Sequence, residues 1–139
     1  MKALIQRVTQ ASVTVEGRVV GEISRGLLLF LGVEKGDTKQ KADRLLDKVL
    51  KYRVFADQSD RMNLSLKDIQ GELLVVSQFT LVADTQKGLR PSFSSAASSE
   101  DGEVLYDYFI AESVDSGLKV GMGLFGADMS VALVNDGPV

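Results

Sequence analysis

Gly71-Glu72-Leu73-Leu74-Val75-Val76-Ser77-Gln78-Phe79-Thr80-Leu81 is the stretch from which the rest of the chain can be placed. Leu73 to Val76 is a continuous apolar run with two β-branched residues. Such a run reads as a strand buried on both faces, because nothing in it is suited to water. Ser77, Gln78, Phe79 and Thr80 then break the pattern with two hydroxyls, an amide and an aromatic ring. Polar groups at the end of a stiff, buried strand can serve recognition, since the strand holds them still. The alternative is a strand leaving the core, with Ser77 and Thr80 merely satisfying backbone at the exit.

Leu27-Leu28-Leu29-Phe30-Leu31-Gly32-Val33 is a second strand candidate of the same buried kind. Ala3 to Val15 is rich in Val, Ile and Thr and reads as strand. Glu16-Gly17 makes a turn, and Arg18 to Ile23 returns as a hairpin. Between these strands and the central one, Ala42, Leu45, Leu46, Val49 and Leu50 recur at helical spacing. Their apolar face predicts an amphipathic helix capped by Asp37 or Thr38. Tyr52 to Phe55 and Met62 to Leu66 read as short strands. The two Asp in Ala56 to Arg61 suit a solvated turn better than a cation site, since no further ligand spacing follows.

A second helix is expected over Glu100 to Ser113, capped by Ser99, with Val104, Leu105, Tyr108 and Phe109 as its stripe. Tyr106 and Tyr108 read as packing residues. Gly117 to Ala127 holds four glycines in eleven residues. It lacks the Lys-Ser/Thr ending of a phosphate loop, so the glycines imply close backbone approach, to a ligand or to another chain. Met129 to Val134 alternates as a last strand. Asn135-Asp136-Gly137-Pro138-Val139 follows, and an X-Pro bond is where a cis peptide occurs at modest cost.

The 139 residues suit one domain, 1–139, with a sizeable core. No apolar run approaches the ~18 residues of a membrane span. The first residues lack a signal-peptide layout, so a cytoplasmic protein is expected. There is no His and no Cys. A Ser-His-Asp triad, a Cys nucleophile and an imidazole proton shuttle are therefore excluded, and ordinary zinc sites are disfavoured. Proton chemistry near neutral pH must come from carboxylates, Lys, Tyr, backbone, water or the substrate.

Net charge is −3, which argues against a protein that wraps a long nucleic-acid backbone. The charge is uneven. Residues 1–70 carry 13 Lys and Arg against 9 Asp and Glu, whereas residues 71–139 carry 3 against 10. Two of those three cations, Lys87 and Arg90, lie in Asp84-Thr85-Gln86-Lys87-Gly88-Leu89-Arg90-Pro91-Ser92-Phe93. That loop can receive a phosphate or a terminal nucleotide, or it is a solvated turn.

Several separated stretches resemble one family. Gln6-Arg7-Val8, Ser77-Gln78-Phe79-Thr80-Leu81, Arg90-Pro91-Ser92-Phe93, Gly126-Ala127-Asp128-Met129 and Asn135-Asp136-Gly137-Pro138-Val139 match the D-aminoacyl-tRNA deacylases in order and register. The resemblance implies a mixed α/β fold of β-sheets layered with two main helices, with a barrel-like body. It implies hydrolysis of the ester between a D-amino acid, or glycine, and the 3′-terminal adenosine of tRNA, with no metal or organic cofactor. It implies a homodimer with each active site at the interface. A cis Gly-Pro, here Gly137-Pro138, would enter the partner's pocket and face the substrate's α-amino group. L side chains would then be excluded by collision. Arg7 would orient that segment, and Phe79 and Met129 would contact substrate. Ser77, Gln78 and Thr80 would be the catalytic set, with Thr80 either a nucleophile or a positioning group for a reaction driven by the ribose 2′-OH. Nothing in the sequence activates Thr80, which favours positioning. The family pattern continues past Gly-Pro-Val with Thr and apolar residues, whereas this sequence ends at Val139. Hydrolysis of another small aminoacyl ester, or binding of a terminal nucleotide without catalysis, are the rival readings.

Overall fold

The computed structural model describes residues 1–138. The strands are β1 (Lys2–Val15), β2 (Arg18–Ile23), β3 (Gly26–Gly32), β4 (Phe55–Ala56), β5 (Met62–Leu64), β6 (Glu72–Ser77), β7 (Val120–Met122) and β8 (Ser130–Asn135). The helices are α1 (Lys39–Lys51) and α2 (Ser99–Asp115). Six strands form one mixed sheet in the order β2-β1-β3-β6-β7, with β8 also paired to β1. The β3–β6 and β6–β7 pairs are parallel, and the pairs made by β1 are antiparallel. β4 and β5 pair apart from it.

Leu27 to Leu31 of β3 and Leu73 to Val76 of β6 are apolar because both of their faces are covered. Leu27, Leu29, Leu31, Leu73 and Val75 point to one side, where Leu46, Val49 and Leu50 of α1 and Phe109 and Ile110 of α2 meet them. Leu28, Leu74 and Val76 point to the other side, into an interior closed by Val8, Val13 and Ile23. The period-2 alternation of a strand thus feeds two cores at once. Each fully buried Leu or Val contributes roughly 1.5–3 kcal/mol.

The sheet curls until its far strands nearly meet. A Cβ on Gly21 of β2 would lie 2.4 Å from the Met122 carbonyl oxygen of β7, and one on Gly121 would lie 3.3 Å from the Glu22 carbonyl oxygen. Glycine at these two positions lets the barrel approach closure. Here the close approach expected of the glycine-rich stretch is made within the chain.

Local chemistry sets the helix ends. Thr38 Oγ1 accepts from the Lys41 amide at 3.3 Å and caps α1. Asp37 instead accepts from the Glu34 amide at 2.7 Å. Ser98, one residue before the expected cap, accepts from the Asp101 amide at 3.2 Å and starts α2. The buried stripe of α2 is Leu105, Tyr106, Phe109 and Ile110, while Val104 is exposed. The stripe is rotated from its expected position because the Tyr106 hydroxyl finds two backbone acceptors inside. Tyr52 does not enter a strand but ends α1, and Leu66 is buried beyond the end of β5. The Asp57 carboxylate accepts from the amides of Ser59 and Arg61 and from Asn63 Nδ2, so this loop holds itself. Asn63 and these amides hold the Asp57 carboxyl below its usual value.

Candidate active site

β6 ends at Ser77, paired with Leu31 of β3. The Gln78 amide still donates to the Leu31 carbonyl at 2.8 Å. The backbone then turns. Phe79–Val82 form a single 3₁₀ turn, with the Leu81 amide on the Gln78 carbonyl and the Ala83 amide on the Thr80 carbonyl, both at 3.1 Å. The polar tetrad is therefore not an extended edge. Ser77 and Gln78 stay half-buried, while Phe79 and Thr80 emerge.

Beside this turn lies a cavity of about 470 Å³, walled by Ser77, Gln78, Phe79, Tyr106, Phe125 and Met129, among others. Each wall has a local cause. The Tyr106 hydroxyl shares its single proton between the Val75 and Gly123 carbonyls, at 3.0 and 3.1 Å, which ties α2 to β6 and to the segment after β7. Burial first, with Asp107 adding to it, pushes the Tyr106 phenol up, so it stays a neutral donor. The Phe125 ring lies 5.7 Å from that of Tyr106 and covers Gly102, where a Cβ would meet it at 3.4 Å. A Cβ on Gly123 would lie 2.7 Å from Met129 Sδ, so glycine here lets the Met129 side chain lie against the backbone. Phe79 is 62% exposed, and its ring packs edge-on against Phe93 at 5.1 Å.

Gln78 Nε2 donates to Thr80 Oγ1. No carboxylate or lysine hydrogen-bonds to Thr80 among the described residues. An amide is no base in either orientation, so this contact orients the hydroxyl without activating it. Among the described residues, no group of three or more Asp or Glu is arranged to hold a metal ion.

Arg7 stands elsewhere. It pairs with Leu27 on β3, four residues from Leu31, which is about 13 Å of strand from the Ser77 end. Its Nε donates to the Asp136 carbonyl at 2.8 Å and its Nη1 to the Val54 carbonyl at 2.7 Å. The Asp136 carboxylate lies 3.3 Å from the same Nε, and the Asp136 amide donates back to the Arg7 carbonyl at 2.8 Å. Gly137-Pro138 follows with a cis bond and is exposed. The fold thus brings Ser77, Gln78, Phe79 and Met129 to one cavity, with Thr80 beside it, and gathers Arg7, Gly137 and Pro138 at a separate place. Val139 lies outside the described residues.

Tyr106, Gly102 and Phe125 were not legible as cavity walls. A glycine inside a helical pattern, one turn before a tyrosine, was the available signal, because it marks close approach by another element.

The barrel-like sheet layered with two helices is a fold class seen in solved structures. One described as c-Myc DNA Unwinding Element Binding Protein superposes with a TM-score of 0.92 and 40% identity, covering 100% of this chain and 95% of that one. Another, described as a probable eukaryotic D-amino acid tRNA deacylase, shares the fold with a TM-score of 0.80 at 18% identity, covering 98% and 94%. The family model for D-Tyr-tRNA(Tyr) deacylase matches residues 4–139. The D-aminoacyl-tRNA deacylases of Yersinia pestis (strain Pestoides F) and Yersinia pseudotuberculosis (serotype O:1b, strain IP 31758) are each 60% identical to this chain over 139 residues, covering all of it and 96% of the relative. The chain belongs to the D-aminoacyl-tRNA deacylase family and is an enzyme, a hydrolase of D-aminoacyl-tRNA.

Proposed function

We propose that the protein performs chiral proofreading in the cytoplasm, clearing D-aminoacyl-tRNA and mischarged glycyl-tRNA, with residues 1–139 acting as one domain in a homodimer. The observation that carries the proposal is the separation of two incomplete parts. The cavity is lined by Ser77, Gln78, Phe79 and Met129 and not by Gly137-Pro138, whereas the Arg7-held Gly137-Pro138 segment is exposed at a separate place. A two-fold dimer joins such complementary parts without any new element, because each patch meets its counterpart twice.

In this reading the 3′-terminal adenosine and its ester enter the cavity. Ser77, Gln78 and Thr80 position the ester, and Phe79 and Met129 bound the substrate. Gly137-Pro138 from the partner copy faces the α-amino group and leaves no room for an L side chain. Water adds to the ester carbonyl, the bond from carbonyl carbon to ribose oxygen breaks, and that oxygen takes a proton. The neighbouring 2′-OH serves the proton transfer. An ester is already activated, so placement and polar stabilisation supply much of the rate.

The test is parallel incubation of D-Tyr-tRNA and L-Tyr-tRNA in EDTA. Loss of the D ester alone supports the reading, and survival of both overturns it. Loss of both at equal rates removes the chirality claim. Thr80→Ala separates mechanisms: about a tenfold fall fits positioning, whereas a fall of about 10⁴-fold or more makes Thr80 a nucleophile.

A further inference from the structure

The loop of residues 84–93 projects from the cavity side on a fixed base. The Asp84 and Ser92 backbones exchange two hydrogen bonds of 2.8 Å. The Asp84 carboxylate accepts from the Gln86 amide at 2.9 Å. The Phe93 ring at the loop's end rests on Phe79, a wall of the cavity. Gly88 turns the tip with a φ of +70°, a conformation that suits glycine.

The loop is a basic interruption in an acidic stretch of sequence. Residues 71–139 hold ten Asp and Glu and only Lys87, Arg90 and Lys119 as cations. Lys119 pairs with Glu72 at 3.3 Å. Lys87 and Arg90 are exposed, and neither makes an ion pair among the described residues. Of the three cations in residues 71–139, the two that make no ion pair among the described residues therefore sit together on an anchored loop beside the cavity. From either base residue to Gly88 is four residues, at most about 14 Å of chain.

We propose that this loop is a clamp for the single-stranded 3′ end of tRNA, with Lys87 and Arg90 pairing with the phosphates nearest the terminal adenosine. The proposal rests on the deacylase reading above and adds the contact by which a charged tRNA is held. Phosphate contacts of this kind fix the position of the strand and read no sequence. The terminal adenosine then enters beside Phe79 while the preceding backbone lies along the loop.

The experiment compares the wild type with a Lys87→Ala/Arg90→Ala variant on two substrates, D-Tyr-tRNA and the phosphate-free ester 3′-O-(D-tyrosyl)adenosine. Uncharged tRNA binding is measured alongside over a range of salt. The expected result is unchanged turnover of the nucleoside ester and an about tenfold loss on tRNA at ~0.15 M salt. The slope of log affinity against log salt shrinks by about 1.4, the value for two single-strand phosphates. A Lys87→Arg/Arg90→Lys variant keeps wild-type behaviour. Equal loss on both substrates overturns the clamp in favour of a structural role, and an unchanged salt slope overturns it outright. If the wild type cleaves neither ester, the deacylase reading fails, and the binding slope still decides the clamp.

Discussion

The cavity end and the Arg7 end of the molecule are held by different forces. At the cavity, Val75 and Val76 lie between two apolar cores, and the buried Tyr106 hydroxyl bridges two backbone carbonyls of the wall. Displacing Ser77 therefore requires moving packed strands. At the other end, Asp136 and the exposed Gly137-Pro138 depend on one half-buried guanidinium and one backbone bond. Apolar packing spreads a load over many contacts, whereas a few polar bonds concentrate it. A single substitution can thus disable the second end and leave the fold intact.

The sharpest way to break that comparison uses mixed dimers. Arg7→Ala alone should lower deacylation about a hundredfold, since a misplacement near 1 Å has that effect, with stability little changed. Ala127→Trp, which fills the cavity, should be inactive for the opposite reason. On the proposed homodimer, refolding the two variants together should restore about a quarter of wild-type activity, because half the dimers would carry one site built from two sound parts. No recovery would mean that each chain completes its own site.

Tyr106→Phe probes the packed end. It leaves the Val75 and Gly123 carbonyls without this donor and should cost about 1–3 kcal/mol in urea unfolding. A change below about 0.5 kcal/mol would show that the wall is held by packing alone.

The smallest effect is expected on the outer helix surface. Tyr108 donates to Asp43 Oδ1 at 2.7 Å and joins α2 to α1. That hydrogen bond, followed by desolvation, pushes the Tyr108 phenol up from 10.0 to about 12. The folded value exceeds the unfolded one, so the contribution is complete below about pH 10 and disappears as pH rises through about 12. Urea midpoints of wild type and Tyr108→Phe should differ slightly at pH 9 and converge at the alkaline end. A gap that stays constant would remove the hydrogen bond as its cause.

Much of the architecture was legible in the residues because burial leaves a periodic trace. The apolar faces of α1 and the unbroken runs of β3 and β6 have no other stable arrangement in water. The 3₁₀ turn over Phe79–Val82 was not legible, because Leu81, Val82 and Ala83 look like a continuing strand. The turn arises where Gly32 leaves room for Val82: a Cβ there would meet the Val82 side chain at 2.9 Å. The rotation of the α2 stripe was hidden for a related reason. A tyrosine reads as equally fit for surface or core until its hydroxyl finds partners.

The sequence by itself determined the two main helices, the long strands β1, β2, β3, β6 and β8, the absence of imidazole and thiol chemistry, and the polar residues at the end of β6, because these follow from local pattern and composition. Only the tertiary structure decided that β8 pairs with β1, that Tyr106 and Phe125 wall the cavity, and that Arg7 and Gly137-Pro138 stand away from Ser77. Those outcomes depend on contacts between residues far apart in the chain. Such contacts are chosen by how curved sheets and helices fill space, and no short stretch of sequence records that choice.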